Sequence, residues 1–223
     1  MIAHPREPKG TPRQRALIEL ATLVTEAPWR VRRSAWLDDD SLLHAIVLSA
    51  YFGHLNRIAD AVAVPLDYDV RHLPPPTDPT VPALPSAPGL VAGEPTLTLA
   101  QRPATAAAIA AWQAYVFDRD ASLGRDARVQ ITGWVAGWLG DPRSPARADD
   151  RPEASDLRRL AELITLAPWQ LDDAAFAPLR ARGWDDAMLF DAVATTTTAG
   201  LLSRVHVALV ALEAGTRVSG ESK

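Results

Sequence analysis

The segment LIELATLVTEAPW, Leu17 to Trp29, returns 140 residues later as LRRLAELITLAPW, Leu157 to Trp169, with Leu17, Leu20, Ala21, Leu23, Thr25, Ala27, Pro28 and Trp29 all repeated. Downstream the register shifts to 147. Asp39 then meets Asp186, Ala45 meets Ala192, Gly53 meets Gly200, Leu55 meets Leu202, Arg57 meets Arg204 and Ala61 meets Ala208. Each unit reads as a helix, an Ala-Pro-Trp turn, and a long helix carrying a glycine with an arginine one turn later. A unit of this kind exposes an apolar face that its copy is suited to cover. The repeat therefore predicts an all-α fold built on a duplicated helix-turn-long helix unit, with a pseudo-twofold core.

The rest of the chain is consistent with helices, since nothing alternates with period two for long enough to suggest a sheet. Thr11 and Pro12 form an N-cap and first-turn pair, opening a helix to about Thr25. Asp38 to Asp40 place carboxylates at the positive end of a long helix over about 39–64, stopped by Pro65. Further helices are expected over about 105–117, 127–139, 155–166, 172–182 and 185–213, with Gly183 and Gly215 at C-terminal stops. Ten of the 19 prolines fall between Pro65 and Pro103, including three in a row, which marks a linker biased to polyproline II and closed to helix. Asp141 to Ser155 is a second turn-rich break. The expected division is a tail over 1–10, a first helical repeat over 11–64, a linker over 65–103, a second helical unit over 104–215 and a tail over 216–223.

Composition removes whole classes of chemistry. The 223 residues contain no cysteine, which excludes disulfides, thiolate zinc sites, iron-sulfur clusters and thiol mechanisms. Net charge is −4, and the 23 basic residues include only two lysines, Lys9 and Lys223. No basic run patterns as a nucleic-acid or membrane surface, so neither is expected as a partner. The N-terminal stretch is polar and no segment reaches 18 uninterrupted apolar residues, so the chain reads as cytoplasmic. No phosphate loop, dinucleotide fingerprint or nucleophile elbow is present, and no cofactor is expected. Asp40 and His44 are the one carboxylate-histidine pair at i, i+4 among the five histidines, and no further ligand joins them at metal-site spacing, so no metal is expected either.

The stretch LITLAPWQLDDAAFAPLRARGWDDAMLFDAVATTTTAGLLSRV resembles the closing half of the alkylhydroperoxidase (AhpD)-like and carboxymuconolactone decarboxylase superfamily, especially its peroxidase-related subgroup. YFGHLNRIADAVAVPLD, Tyr51 to Asp67, looks like that subgroup's aromatic-rich helix with an Asn-Arg pair. The match covers both repeat units, and implies a helical bundle that assembles as a homo-oligomer. The resemblance would also imply a glutamate, a Cys-x-x-Cys turn and a nearby histidine after ARVQITGWVAGWLG; this chain reads DPRSPARADD there instead. A hydroxyl cannot replace the polarizable, partly ionised sulfur that peroxide reduction needs, so thiol peroxidase activity is excluded. The decarboxylase branch needs no sulfur, and leaves acid-base chemistry on a small organic molecule open.

The candidate catalytic residues lie on the first long helix. Val47, Tyr51, His54 and Ile58 share a face at spacings of three and four, so His54 projects from an apolar stripe, with Asn56, Arg57 and Asp60 beside it. One reading makes His54 a general base, Tyr51 a proton donor and Arg57 a bidentate grip on a substrate carboxylate. The other makes His54 a core histidine bonded to a carbonyl and pairs Arg57 with Asp60. In the second copy Arg204 matches Arg57 while Leu201 replaces His54, which suggests an architectural arginine. Thr195 to Thr198 put four β-branched hydroxyls inside a helix, where they either line a polar cavity near Ser203 and His206 or bond back to carbonyls. His44 and Asp191, at equivalent helix starts, are expected in solvent, and His4 and His72 in loops. Trp29 and Trp169 read as core wedges of the repeated turn, and Trp112, Trp134 and Trp138 as lining a ligand pocket or an interface. Two functions from different classes follow: a thiol-independent enzyme or binding protein for a small organic ligand, and a non-catalytic helical oligomerisation module.

Overall fold

The computed structural model describes residues 10–64, 95, 98, 102–143 and 152–220, and among them every regular element is helical. The bulk of the proline-rich stretch, along with His4 and His72, lies outside the described residues. The helices are α1 (Pro12–Glu26), α2 (Asp39–Ala61), α3 (Pro103–Phe117), α4 (Arg125–Leu139), α5 (Pro152–Leu166), α6 (Asp173–Ala181) and α7 (Asp186–Gly220). Single 3-10 turns, Pro28–Arg30 and Pro168–Gln170, sit at the two Ala-Pro-Trp sites.

The starts follow local chemistry. Thr11 and Gln14 cap α1 reciprocally, the Thr11 side chain accepting from the Gln14 amide and the Gln14 side chain from the Thr11 amide. Asp38 accepts from Ser41 N at 2.7 Å, and Asp172 from Ala175 N at 3.2 Å. Three ends share one closure, in which a left-handed residue lets the chain turn back on the last helical carbonyls. Ala63 (φ 52), Gly140 (φ 72) and Gly183 (φ 86) take that place, and Val64, Asp141 and Trp184 donate to Ala59, Ala136 and Leu179. This closure ends α2 at Ala61, short of the expected Val64. Two other limits also move: α3 begins at Pro103 itself, where proline suits a first helical turn, and α7 runs past Gly215.

α1 and α5 end differently, and alike. Ala27 (φ −149, ψ 66) and Ala167 (φ −143, ψ 54) swing the chain into the proline turn, with Ala27 N donating to Leu23 O and Ala167 N to Leu163 O, each at 2.8 Å. Neither end closes in the left-handed way, so last-turn carbonyls still need donors. They come from the other unit. Arg204 Nε donates to Thr25 O at 3.1 Å, while Arg57 Nε donates to Thr165 O at 3.4 Å. Each arginine also folds back on its own helix, to Gly200 O and Gly53 O respectively. The glycines make room for this: a Cβ at Gly53 would lie 2.9 Å from Arg57 Nη1, and one at Gly200 2.8 Å from Arg204 Nη1.

Two apolar cores share α7. Leu20, Val24, Leu42, Leu43 and Ile46 from α1 and α2 close on Leu201, Val205 and Leu209, whereas Ile131, Leu139, Leu160, Ile164 and Leu179 from α4 to α6 close on Leu189, Ala192 and Val193. Over Asp186–Ala214 α7 is long and apolar enough to cross a membrane by length and composition, but 89% of its most apolar window is buried inside this bundle. Its apolarity therefore has a place within the fold. The two turn tryptophans differ. Trp29 is a core residue, but Trp169 is 39% exposed, because the first turn lies against α7 and the second only along α2 and α5.

Candidate functional site

α2 brings Tyr51 and His54 together but turns Arg57 elsewhere. His54 is 4% exposed, Tyr51 is 47% exposed, and their rings stack at 6.3 Å. From the other side the Trp112 indole of α3 meets the imidazole edge-on at 6.0 Å, and Tyr115 stacks on that indole at 5.5 Å. Arg119 lies over the Tyr115 ring at 4.6 Å. With Phe52 against Tyr51 at 6.4 Å, a chain of rings crosses from α2 to α3 with His54 at its centre.

The Thr197 carbonyl acts on the imidazole, whose Nδ1 is buried without a hydrogen-bond partner. Burial foremost, and the positive charge of Arg57, lower its pKa below the ordinary 6.5; the Thr197 carbonyl opposes this. At neutral pH His54 is uncharged, with one ring nitrogen able to accept a proton or a hydrogen bond. Unfolding exposes the ring, so below about pH 6.5 the unfolded chain gains a proton that the folded chain resists. Stability is then full above the unfolded value and falls as pH drops beneath it, by at most about 1.4 kcal/mol per unit. Asp60, whose pKa burial raises, acts in the opposite sense, its penalty being relieved on acidification. His54→Leu, which installs the residue found at Leu201, is expected to flatten the fall in urea midpoint between pH 7 and 5.5. A slope unchanged in the variant would assign the titration to another group.

Arg57 grips no carboxylate. Its guanidinium donates to Thr165 O and Gly53 O, and burial, against the opposing charge of Asp60, brings its pKa down to about 10. Arg204 is also held well below its ordinary value, by burial first and by Arg57 second, since both guanidinia approach the Thr165 carbonyl, Arg204 Nη2 at 3.0 Å. The two charges face the carbonyl ends of α1 and α5, where the helix dipoles are negative.

All four threonines are buried, at 0 to 1% exposure. Thr196 Oγ1 donates to Ala192 O at 2.7 Å and Thr197 Oγ1 to Val193 O at 2.9 Å, so packing with back-bonding accounts for these two. Thr198 Oγ1 accepts from Trp112 Nε1 at 3.0 Å, and Thr195 Oγ1 has no partner. His206 is also buried, and His44 is exposed. Trp134 is buried in the second core, Trp138 packs against it, and Trp112 is the one of the three that touches the candidate site.

Sequence reasoning missed a polar junction where α3 meets α4. Asp191, expected in solvent, is 6% exposed and accepts from Arg119 Nη2 at 2.6 Å and Leu123 N at 3.2 Å. Arg128, 5% exposed, donates to the carbonyls of Val116, Phe117 and Arg119, closing the C-terminal end of α3. Acceptors of this kind are backbone atoms, which no residue type announces.

Two clefts of about 270 and 150 Å³ lie elsewhere. The larger, between α5 and α6, is lined by Asp156, Arg159, Gln170 and Asp172, the smaller by Glu19, Arg32, Arg33 and Leu37, and neither includes Tyr51, His54 or Arg57. Among the described residues no group of three or more acidic or histidine side chains is placed to hold a metal. Set against known proteins, the chain matches no family model, no curated protein and no solved structure.

Proposed function

We propose that this chain is a helical assembly module whose α2 pairs with a second copy of the chain. The observation that carries this is the outer face of α2. Leu48, Phe52 and Leu55, with Val62 at the C-terminal cap, are 44, 54, 39 and 45% exposed, and with Ala59 they recur at steps of four and three. Tyr51 widens the stripe. That spacing is the seam of paired helices, and an isologous contact about a twofold axis covers the same stripe on both partners. An uncovered apolar stripe of this length is a recognition surface rather than ordinary solvent-facing surface. We further propose that the module is an AhpD-like bundle descended from a duplicated unit. The recurrent Ala-Pro-Trp turns and the exchanged Arg57 and Arg204 bonds support that descent.

Sedimentation of the purified chain at micromolar concentration tests the pairing. A stable oligomer, converted to monomer by Phe52→Glu with Leu55→Glu while the helical spectrum is retained, is the expected result. A wild-type monomer at tens of micromolar overturns the reading.

A second reading, that His54 serves a small-molecule site, is favoured by the buried Nδ1, which has no hydrogen-bond partner among the described residues. In it His54 acts as a neutral base or hydrogen-bond acceptor, with Tyr51 at the solvent side as the proton donor. Arg57, bonded to carbonyls, orders the helices around the site instead of holding substrate.

A further inference from the structure

Trp112 is held like a ligand. Its indole is edge-on to His54, stacked under Tyr115, and makes one directed hydrogen bond, Nε1 to Thr198 Oγ1. It leaves two buried polar atoms bare, His54 Nδ1 and Thr195 Oγ1. Thr195 sits three residues before Thr198 and so on the same side of α7 as the indole's partner. The helix that carries the indole is loosely seated: of the 15 residues of α3, Val116 alone is buried, although the helix is the most apolar of those described. Its C-terminal end is fixed by Arg128 and by the Arg119–Asp191 pair. Its N-terminal end is tied by a surface ion pair, Arg102 to Asp40, of a kind that contributes little.

We propose that α3 is a lid hinged at its C-terminal end, and that Trp112 occupies a small-molecule site whose walls are His54, Thr198 and Thr195. The ligand class follows from what the indole satisfies and what it leaves: a planar aromatic or heteroaromatic molecule with an N–H or O–H donor for Thr198 and a second polar group for His54 Nδ1. This rests on the reading of His54 as a ligand site. Binding displaces the indole outward, and the free energy of closing α3 lowers the apparent affinity of the wild type by the fraction of chains that are open.

Indole itself is the probe. Trp112→Ala is expected to bind it saturably by calorimetry, the wild type at least tenfold more weakly, and amide hydrogen exchange along α3 in the wild type is expected to quicken when indole binds. Thr198→Val in the Trp112→Ala background is expected to weaken binding about tenfold. Trp112→Phe, which keeps a ring and loses the donor, is expected to raise α3 exchange and to bind indole more tightly than the wild type does; it serves if Trp112→Ala does not fold. Absence of saturable binding to either variant, or wild-type binding without any change in α3 exchange, overturns the lid. 5-Hydroxyindole, which adds a second polar group to the same ring, tests His54: if in the Trp112→Ala background it binds no more tightly than indole and its binding is unchanged by His54→Leu, the His54 reading is overturned separately.

Discussion

Arg204→Ala is expected to lower stability by about 4 kcal/mol, read as a fall in the urea midpoint with an unchanged slope. The guanidinium is fully buried and satisfies three carbonyls, Thr25, Thr165 and Gly200. Truncation leaves each acceptor short of a donor inside the core, at about 1 to 3 kcal/mol for a bare buried group, and adds the void of a long side chain. Shared coordination moderates the sum, since Arg57 still reaches Thr165 O. Arg57→Ala alone is expected to cost less, about 2 kcal/mol, since Arg57 bonds two carbonyls where Arg204 bonds three. The double variant is expected to exceed the sum of the two, because Thr165 O then loses both donors while the repulsion between the guanidinia can be relieved only once. Strict additivity in the cycle would show that the two arginines act independently.

The next largest effect is expected at Arg128→Ala, about 3 kcal/mol, located at one end of α3. Arg128 holds Val116 O at 2.8 Å, Phe117 O at 3.0 Å and Arg119 O at 3.1 Å, so its loss frees the final turn of a helix with little other burial. Amide exchange along α3 is expected to accelerate tenfold or more, while the amides of α1 and α2 keep their protection. A uniform loss across all helices would mean that α3 is integral to the bundle and not separately held.

Much of the fold was legible because it is written in side chains with local partners. Thr11 with Pro12, Asp38, Asp172 and the left-handed Gly183 act within a few residues of themselves, and the apolar spacing of α1 and α5 names their buried faces. The pairing of Arg57 with Arg204 was also visible as aligned letters. Their function was not, since the atoms they serve are carbonyls 108 and 179 residues away, and a carbonyl has no identity in the sequence. The same holds at Asp191, where a position at a helix start suggested solvent, and the Arg119 loop that covers it carries no periodic signal. At the candidate site, spacing correctly placed Tyr51 beside His54 on α2, but it could not supply Trp112, which arrives from another helix. Trp29 and Trp169 show the limit of the repeat itself: equal letters have unequal burial once different elements cover them.

This exchange of arginines also bears on synthesis at the ribosome. The carbonyl at the end of α1 is among the first parts of the bundle to emerge, yet the donor that completes it is translated 179 residues later. A nascent chain holding only α1 and α2 carries an open helix end and a long apolar seam, features that chaperones retain and proteases cut. Folding of the first unit is thus deferred until α7 has been made, and a chain that stops before Arg204 cannot complete the first core, whose Val205 and Leu209 also lie beyond that point.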